Sequence, residues 1–286
     1  MLNKLKVYSD LKIFLFLSLC IFFIRILLNI NLNLPLHFDE AQYWDWSQNL
    51  DWGYFSKPPL LAFLIRIITE LCGNGENCIR TLSPLLHSFT SLIIFYSVYL
   101  LTHSFKKSLF GSLLFLFMPG ITFSSFLIST DVPLIFFSSL IAISIIKINN
   151  TYGSNRLYFC ILGFVLALGL LSKYAILYLI LSFFLSMIFY KDCRFFFLNK
   201  NFFLTILIII VSILPNIIWN YQNEFVTLSH TASNANLSNI KINFLQGFLF
   251  ILSQGLIFGV VPFLYLSKKA ILFLKLNTIQ KIFFIS

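Results

Sequence analysis

Residues able to do chemistry are few in this chain, and many of them sit in one interval. From Leu34 to Pro59 the sequence reads LPLHFDEAQYWDWSQNLDWGYFSKPP, which holds four of the ten carboxylates and three of the four tryptophans. Asp39 and Glu40 are adjacent. Neighbouring carboxylates repel one another, which suits one of them to take up a proton as a general base, and the pair is also a place for a divalent cation. The same two acids would equally serve as the negative first turn of a helix running through AQYWDWSQNL. Lys57 precedes a proline pair that begins the next helix. It has the point charge that neutralises a phosphate, or it is a lysine snorkelling to an interface. Asp45 and Asp51 lie toward the water side and the end of the first of these helices and are expected to be structural.

Four further polar residues interrupt apolar sequence. Asp131 opens a helix in STDVPLIFF, and Lys173 closes one in LALGLLSKY. Ionisable groups at such depth are expensive in lipid and face a bundle interior, either paired with each other or in contact with a ligand. Asn220 and His230, in WNYQNEFVTLSHT, could meet a polar acceptor or simply be solvated. Trp44, Trp46, Trp52, Tyr43 and Tyr54 form an interfacial aromatic belt whose rings could also stack on a sugar. His37, His87 and His103 have no ligand spacing, so no histidine metal site is expected. No nucleophile elbow, zinc-protease motif, P-loop or dinucleotide fingerprint is present. An activated donor must therefore arrive on the same face as the loops, which favours a lipid-linked one.

These residues need elements that hold them at a membrane surface. With 59% hydrophobic, 18% aromatic and 10% charged residues in 286, and a mean hydropathy of +0.90, the chain is a polytopic membrane protein, because soluble domains carry about 25% charge. The net charge of +10 is scattered in ones to threes between apolar runs, a pattern of topology signals and not of nucleic-acid binding. Since a span takes about 20 apolar residues, eight spans are expected near 11–30, 81–102, 108–128, 132–148, 157–174, 175–190, 202–219 and 244–266. A partial ninth begins near Ala270. The segment PLLAFLIRIITEL, with Arg66 and Glu70, is too short to cross and reads as an amphipathic interfacial helix.

The basic N-terminus reads as the start of a signal anchor, with no small-residue cleavage site after it. With that end cytoplasmic, Lys106 and Lys107, Lys147 and Arg156, Lys191, Arg194 and Lys200, and Lys268 and Lys269 all fall inside. The loops 31–80 and 220–243 then fall outside. All but two carboxylates follow them. A single transmembrane domain spans 1–286, with no internal repeat. Cys72 and Cys78 flank GNGEN in the first outer loop, where a disulfide is expected if the compartment is oxidising. The breaks MPG at Met118–Gly120 and ILPN at Ile213–Asn216 can be accommodated inside a bundle.

The blocks FDEAQYWDWSQNLDWGYFSKPPLLAFLIR, STDVPLIFF, LALGLLSKY and PNIIWNYQNEFVTLSHT resemble the bacterial glycosyltransferases related to protein O-mannosyltransferases and the lipid A aminoarabinose transferase. That resemblance implies an all-α, GT-C type helix bundle that takes a sugar from a polyprenyl-phosphate carrier. It implies a catalytic role for Asp39, with Glu40 as the second family acid. It also implies donor-phosphate contact by Lys57, and Asp131 and Lys173 lining the same cavity. Tyr54, as a ring that could stack on a sugar, and Asn220 and His230, as polar loop residues, are expected as further substrate contacts on the residue reading above. A divalent cation is the one cofactor this reading leaves open. The implied acceptor is a lipid, glycan or protein on the external, periplasmic face of a bacterial inner membrane. Family members continue through further helices and often an external soluble domain, so the resemblance implies that a C-terminal part is missing here, and an inactive truncated relative is one alternative. The other is a transporter or flippase for a lipid-linked or anionic substrate, which would place charges at mid-bilayer in paired halves.

Overall fold

The computed structural model describes residues 2–191, 194–235 and 243–270; the expected ninth span and residues 236–242 of the second loop lie outside them. Every regular element among the described residues is a helix: α1 (Leu2–Leu32), α2 (Phe38–Gln48), α3 (Leu60–Cys72), α4 (Glu76–Thr102), α5 (Phe105–Phe117), α6 (Pro119–Ser124), α7 (Asp131–Asn150), α8 (Arg156–Ser172), α9 (Ile176–Phe189), α10 (Arg194–Leu198), α11 (Phe202–Gln222), α12 (Val226–Ala235), α13 (Phe244–Phe258) and α14 (Val260–Ala270).

Four stretches among these, Leu11–Leu32, Glu76–Thr102, Asp131–Asn150 and Phe202–Gln222, are long and apolar enough to cross a bilayer as single helices. The spans expected at 157–174 and 175–190 are shorter apolar helices of 17 and 14 residues. Two others are broken. The expected span 108–128 stops at Phe117 and restarts at Pro119, which has no N–H to continue the ladder. The one at 244–266 is divided at Gly259, whose φ of 96° leaves the right-handed helical region.

The first break has its loose carbonyls satisfied from α1. Arg25 donates to the Leu116 carbonyl, and Asn29 donates to that of Ser125 at 3.2 Å. This is how broken helices are tolerated at membrane depth. Arg25 and Asn29 are both buried, so the polar side of α1 is a docking feature and not a solvated one.

Of three buried apolar clusters among the described residues, two bear on the site. One joins α7, α8 and α9 through Phe137, Ile141, Ile145, Phe159, Leu162 and Phe183. There α8 also approaches α11 so closely that a Cβ on Gly163 would lie 2.8 Å from the Thr205 carbonyl oxygen, the small-residue contact expected between membrane helices. The second gathers Tyr43, Leu61, Ile65, Ile79, Leu82 and Val132 from α2, α3, α4 and the start of α7. In α3 the buried positions Leu61, Ala62, Ile65 and Thr69 recur at helical spacing. Arg66 and Glu70 pair at 2.7 Å on its outer face, as the interfacial reading requires. Cys72 and Cys78 form a disulfide that joins the end of α3 to the first turn of α4.

Candidate active site

The acidic pair expected at residues 39 and 40 is divided by the fold. Asp39 is exposed, whereas Glu40 is 1% exposed. One Glu40 oxygen accepts from Arg80 Nε at 3.1 Å and from the Ile128 amide at 2.9 Å. The other accepts from Arg80 Nη2 at 2.6 Å and from the His37 amide at 2.8 Å. Arg80 also donates to the carbonyls of Leu34 and Pro35, at 2.7 and 2.8 Å. Glu40 is thereby committed to protein groups, and the expected substrate contact gives way to a positioning one. It fixes the N-terminus of α2 to α4 and to the residues leading into Asp131. Nothing local marks Arg80 in the sequence, because its partners are 40 to 46 residues away.

Asp39 and Asp131 both lie near Tyr43. Tyr43, one turn beyond Asp39 on α2, has its phenol pushed up to about 12, first by burial and then by the negative charges of Asp39 and Asp131. It keeps its proton across the physiological range, beside two carboxylates.

The first loop then folds back on itself. Tyr54 is buried, with its ring stacked on Trp46 at 4.6 Å. Its hydroxyl donates to the Trp46 carbonyl at 3.1 Å and accepts from the Asp51 amide at 3.1 Å. Burial raises its phenol pKa. Tyr54, expected at the substrate, is an internal strut of the loop, because burial and these bonds occupy its polar end.

Residues far along the chain pin the same loop. Trp219 donates to Asp51 at 2.6 Å, Asn216 to the Trp52 carbonyl at 2.6 Å and Thr227 to the Tyr54 carbonyl at 2.6 Å. Gly53 lies against the Trp219 ring, where a Cβ would come within 2.2 Å. The loop so held presents Lys57 to a cleft of about 360 Å³ that Lys173, Tyr174 and Thr231 also line. Lys173 pairs with Asp131 at 2.7 Å, and both are partly exposed. An adjoining cleft of about 460 Å³, sharing Tyr174, Leu177 and Thr231, contains Asn216 and Asn220. His230 packs its ring on Phe55 at 4.8 Å, beside the first loop.

The structure thus gathers Asp39, Tyr43, Asp131, Lys173 and Lys57 at one end of the bundle. Glu40, Tyr54 and Asp51 hold them there. No group of three or more His, Cys, Asp or Glu suited to a metal ion occurs among the described residues. The arrangement offers an exposed carboxylate that can accept a proton and two ammonium groups facing one cleft, where an anion can be held.

Comparison with known proteins bears on the family of the chain. Residues 56–219 match the family model described as dolichyl-phosphate-mannose-protein mannosyltransferase; the matched range takes in Lys57, Asp131 and Lys173. The lipid A galacturonosyltransferase RgtD of Rhizobium johnstonii is 33% identical over 224 residues, which is 78% of this chain and 46% of that protein. The chain therefore spans under half the length of this curated relative. No solved structure matches it. With more than half of its length inside the family match, and helices long and apolar enough to cross a bilayer, the chain belongs to the membrane-embedded GT-C glycosyltransferases of the dolichyl-phosphate-mannose-protein mannosyltransferase family.

Proposed function

We propose that the chain transfers a sugar from a polyprenyl-phosphate carrier to a lipid acceptor on the external face of the membrane, by direct displacement with inversion. The observation that carries this is the pair of lysines, Lys57 and Lys173, lining one cleft at the end of the bundle that also holds Asp39. Asp39 takes the proton of an acceptor hydroxyl as its oxygen attacks the anomeric carbon. The bond from that carbon to the phosphate oxygen breaks, and the electron pair leaves with the lipid phosphate, whose charge Lys57 and Lys173 stabilise. The leaving phosphate needs no proton, so a second acid is unnecessary, in contrast to glycoside hydrolysis. Lys173 is released from Asp131 at little cost, because a partly exposed pair is worth under about 1 kcal/mol.

The lipid acceptor is supported by the name of the galacturonosyltransferase relative, and a uronic acid is the sugar to test first. The membrane in question is the bacterial inner membrane, with the N-terminus cytoplasmic. Membranes containing the chain, given a radiolabelled polyprenyl-phosphate sugar, are expected to move label to an acceptor lipid. With Asp39→Asn, transfer should fall by about 10²–10⁴-fold. Full transfer by that variant would remove Asp39 from the chemistry. Label that crosses the membrane while still on its carrier would identify a flippase instead.

A further inference from the structure

Asn220, which lines the cleft beside the lysines, has a buried side-chain oxygen with no partner among the described residues. Asn216 and Asn220 are one turn apart near the end of α11, and Tyr174 reaches them from the junction of α8 and α9. Asn220 is 3% exposed. Its Nδ2 donates to the Asn216 carbonyl at 2.9 Å and to the Tyr174 hydroxyl at 3.4 Å. The first of these bonds fixes which end of the amide is nitrogen, since a carbonyl only accepts. Tyr174, whose phenol is held neutral by burial, donates its own proton to Asn216 Oδ1 at 3.4 Å. Asn216 Nδ2 is committed to the Trp52 carbonyl. Asn220 Oδ1 is left buried, accepting from none of the described residues.

Such an atom carries a full desolvation cost unless a ligand supplies a donor. The surrounding walls, among them Leu171, Leu177, Ile213 and Leu228, are aliphatic. A sugar would bury several hydroxyls here against walls that are mostly aliphatic. A bare polyprenyl chain would seal the carbonyl with nothing bonded to it. What satisfies both the walls and the atom is an aliphatic chain with one hydroxyl.

We propose that this cleft binds a hydroxylated acyl chain of the lipid acceptor, with Asn220 Oδ1 accepting the hydroxyl, and that it thereby selects hydroxyacyl over unsubstituted chains. The proposal rests on the reading of the chain as an enzyme with a lipid acceptor. The cleft shares Tyr174, Leu177 and Thr231 with the lysine cleft, so the chain's anionic or glycosyl end points toward Lys57 and Lys173. A site built to bond a hydroxyl discriminates strongly against the analogue lacking it, because its own polar group is then stranded.

The test uses the full chain in detergent, native mass spectrometry, and two probes, 3-hydroxytetradecanoic and tetradecanoic acid. The native chain is expected to bind the hydroxylated acid about tenfold more tightly. Asn220→Leu should reduce the difference to under about twofold by weakening the hydroxylated acid alone. Asn220→Asp, which keeps an acceptor, should retain the preference. Leu228→Trp, which fills the cleft, should weaken both acids. Equal binding by the native chain, a preference that survives Asn220→Leu, or displacement of the hydroxylated acid by an unsubstituted polyprenyl alcohol with equal affinity would each overturn the proposal. Because the readout is binding, a chain that prefers the hydroxylated acid yet transfers no sugar overturns the enzyme reading alone.

Discussion

At the level of single residues, the sequence marked Asp39 and Glu40 as a pair, and the structure separates them by burial. Alternation on a helix does this without any change of residue type. Asp39 faces out, and the next position turns into the bundle against Arg80. A carboxylate in a water-filled loop and one in an ion pair look alike in sequence when the partner is 40 residues away. Removing one member of a buried pair leaves an uncompensated charge, so Glu40→Gln is expected to destabilise by on the order of 3–5 kcal/mol. Thermal unfolding of the detergent-solubilised protein checks this, and Glu40→Gln with Arg80→Met should recover part of the loss. Tyr43 allows a pH prediction. Its folded-state value of about 12 lies above the ordinary 10.0, so the folded state holds the proton more tightly. Stability is then complete below pH 10 and falls as pH rises toward 12, by up to roughly 2–3 kcal/mol. Tyr43→Phe should flatten that fall; an unchanged slope would show that the phenol is solvated.

At the level of helices, hydropathy located the apolar segments well, because lipid-facing sequence must be apolar along its length. It overestimated their continuity. The break at Met118 and Pro119 was visible as MPG, but its accommodation by Arg25 and Asn29 was not, since helix–helix hydrogen bonds have no local signature. The interfacial helix was legible to within a residue, because a helix lying along a membrane surface needs an apolar stripe and a charged outer face, and both are written at helical spacing. The disulfide from Cys72 to Cys78 closes a short loop ahead of Arg80. Cys72→Ser with Cys78→Ser is expected to cost about 2 kcal/mol through the loop entropy regained on unfolding. In intact cells these two thiols should resist alkylation until a reductant is added; immediate labelling would place the loop in a reducing compartment. Close helix contact is tested at Gly163, where Leu would collide with the Thr205 backbone. Gly163→Leu should separate α8 from α11 and lower stability by at least about 1–3 kcal/mol.

For the whole molecule, the distribution of charge set the expected topology, and the polar breaks it assigned to one face do converge at one end of the bundle. Asp131 and Lys173 stand out in the sequence because each is an expensive residue in an apolar run, and Lys57 and Asn220 because they lie in the polar intervals that interrupt such runs. Asn216, Trp219 and Thr227 were not, because their role lies in backbone carbonyls and one acid of a loop 164 to 173 residues earlier. An impermeant maleimide added to intact cells should label a cysteine placed at exposed Asn223 and leave one at exposed Lys106 untouched until the membrane is opened. The reverse result would invert the orientation. The tie between Trp219 and the loop around Gly53 also imposes an order in time. Residues 51–57 leave the ribosome well before their fasteners; at about 5–20 residues per second the 164 intervening residues take roughly 8–30 s. Throughout that interval the segment carrying Lys57 has been delivered but not secured. A nascent chain arrested before α11 should be cut readily by protease within 51–57, and the same bonds should become resistant once Trp219 has been inserted.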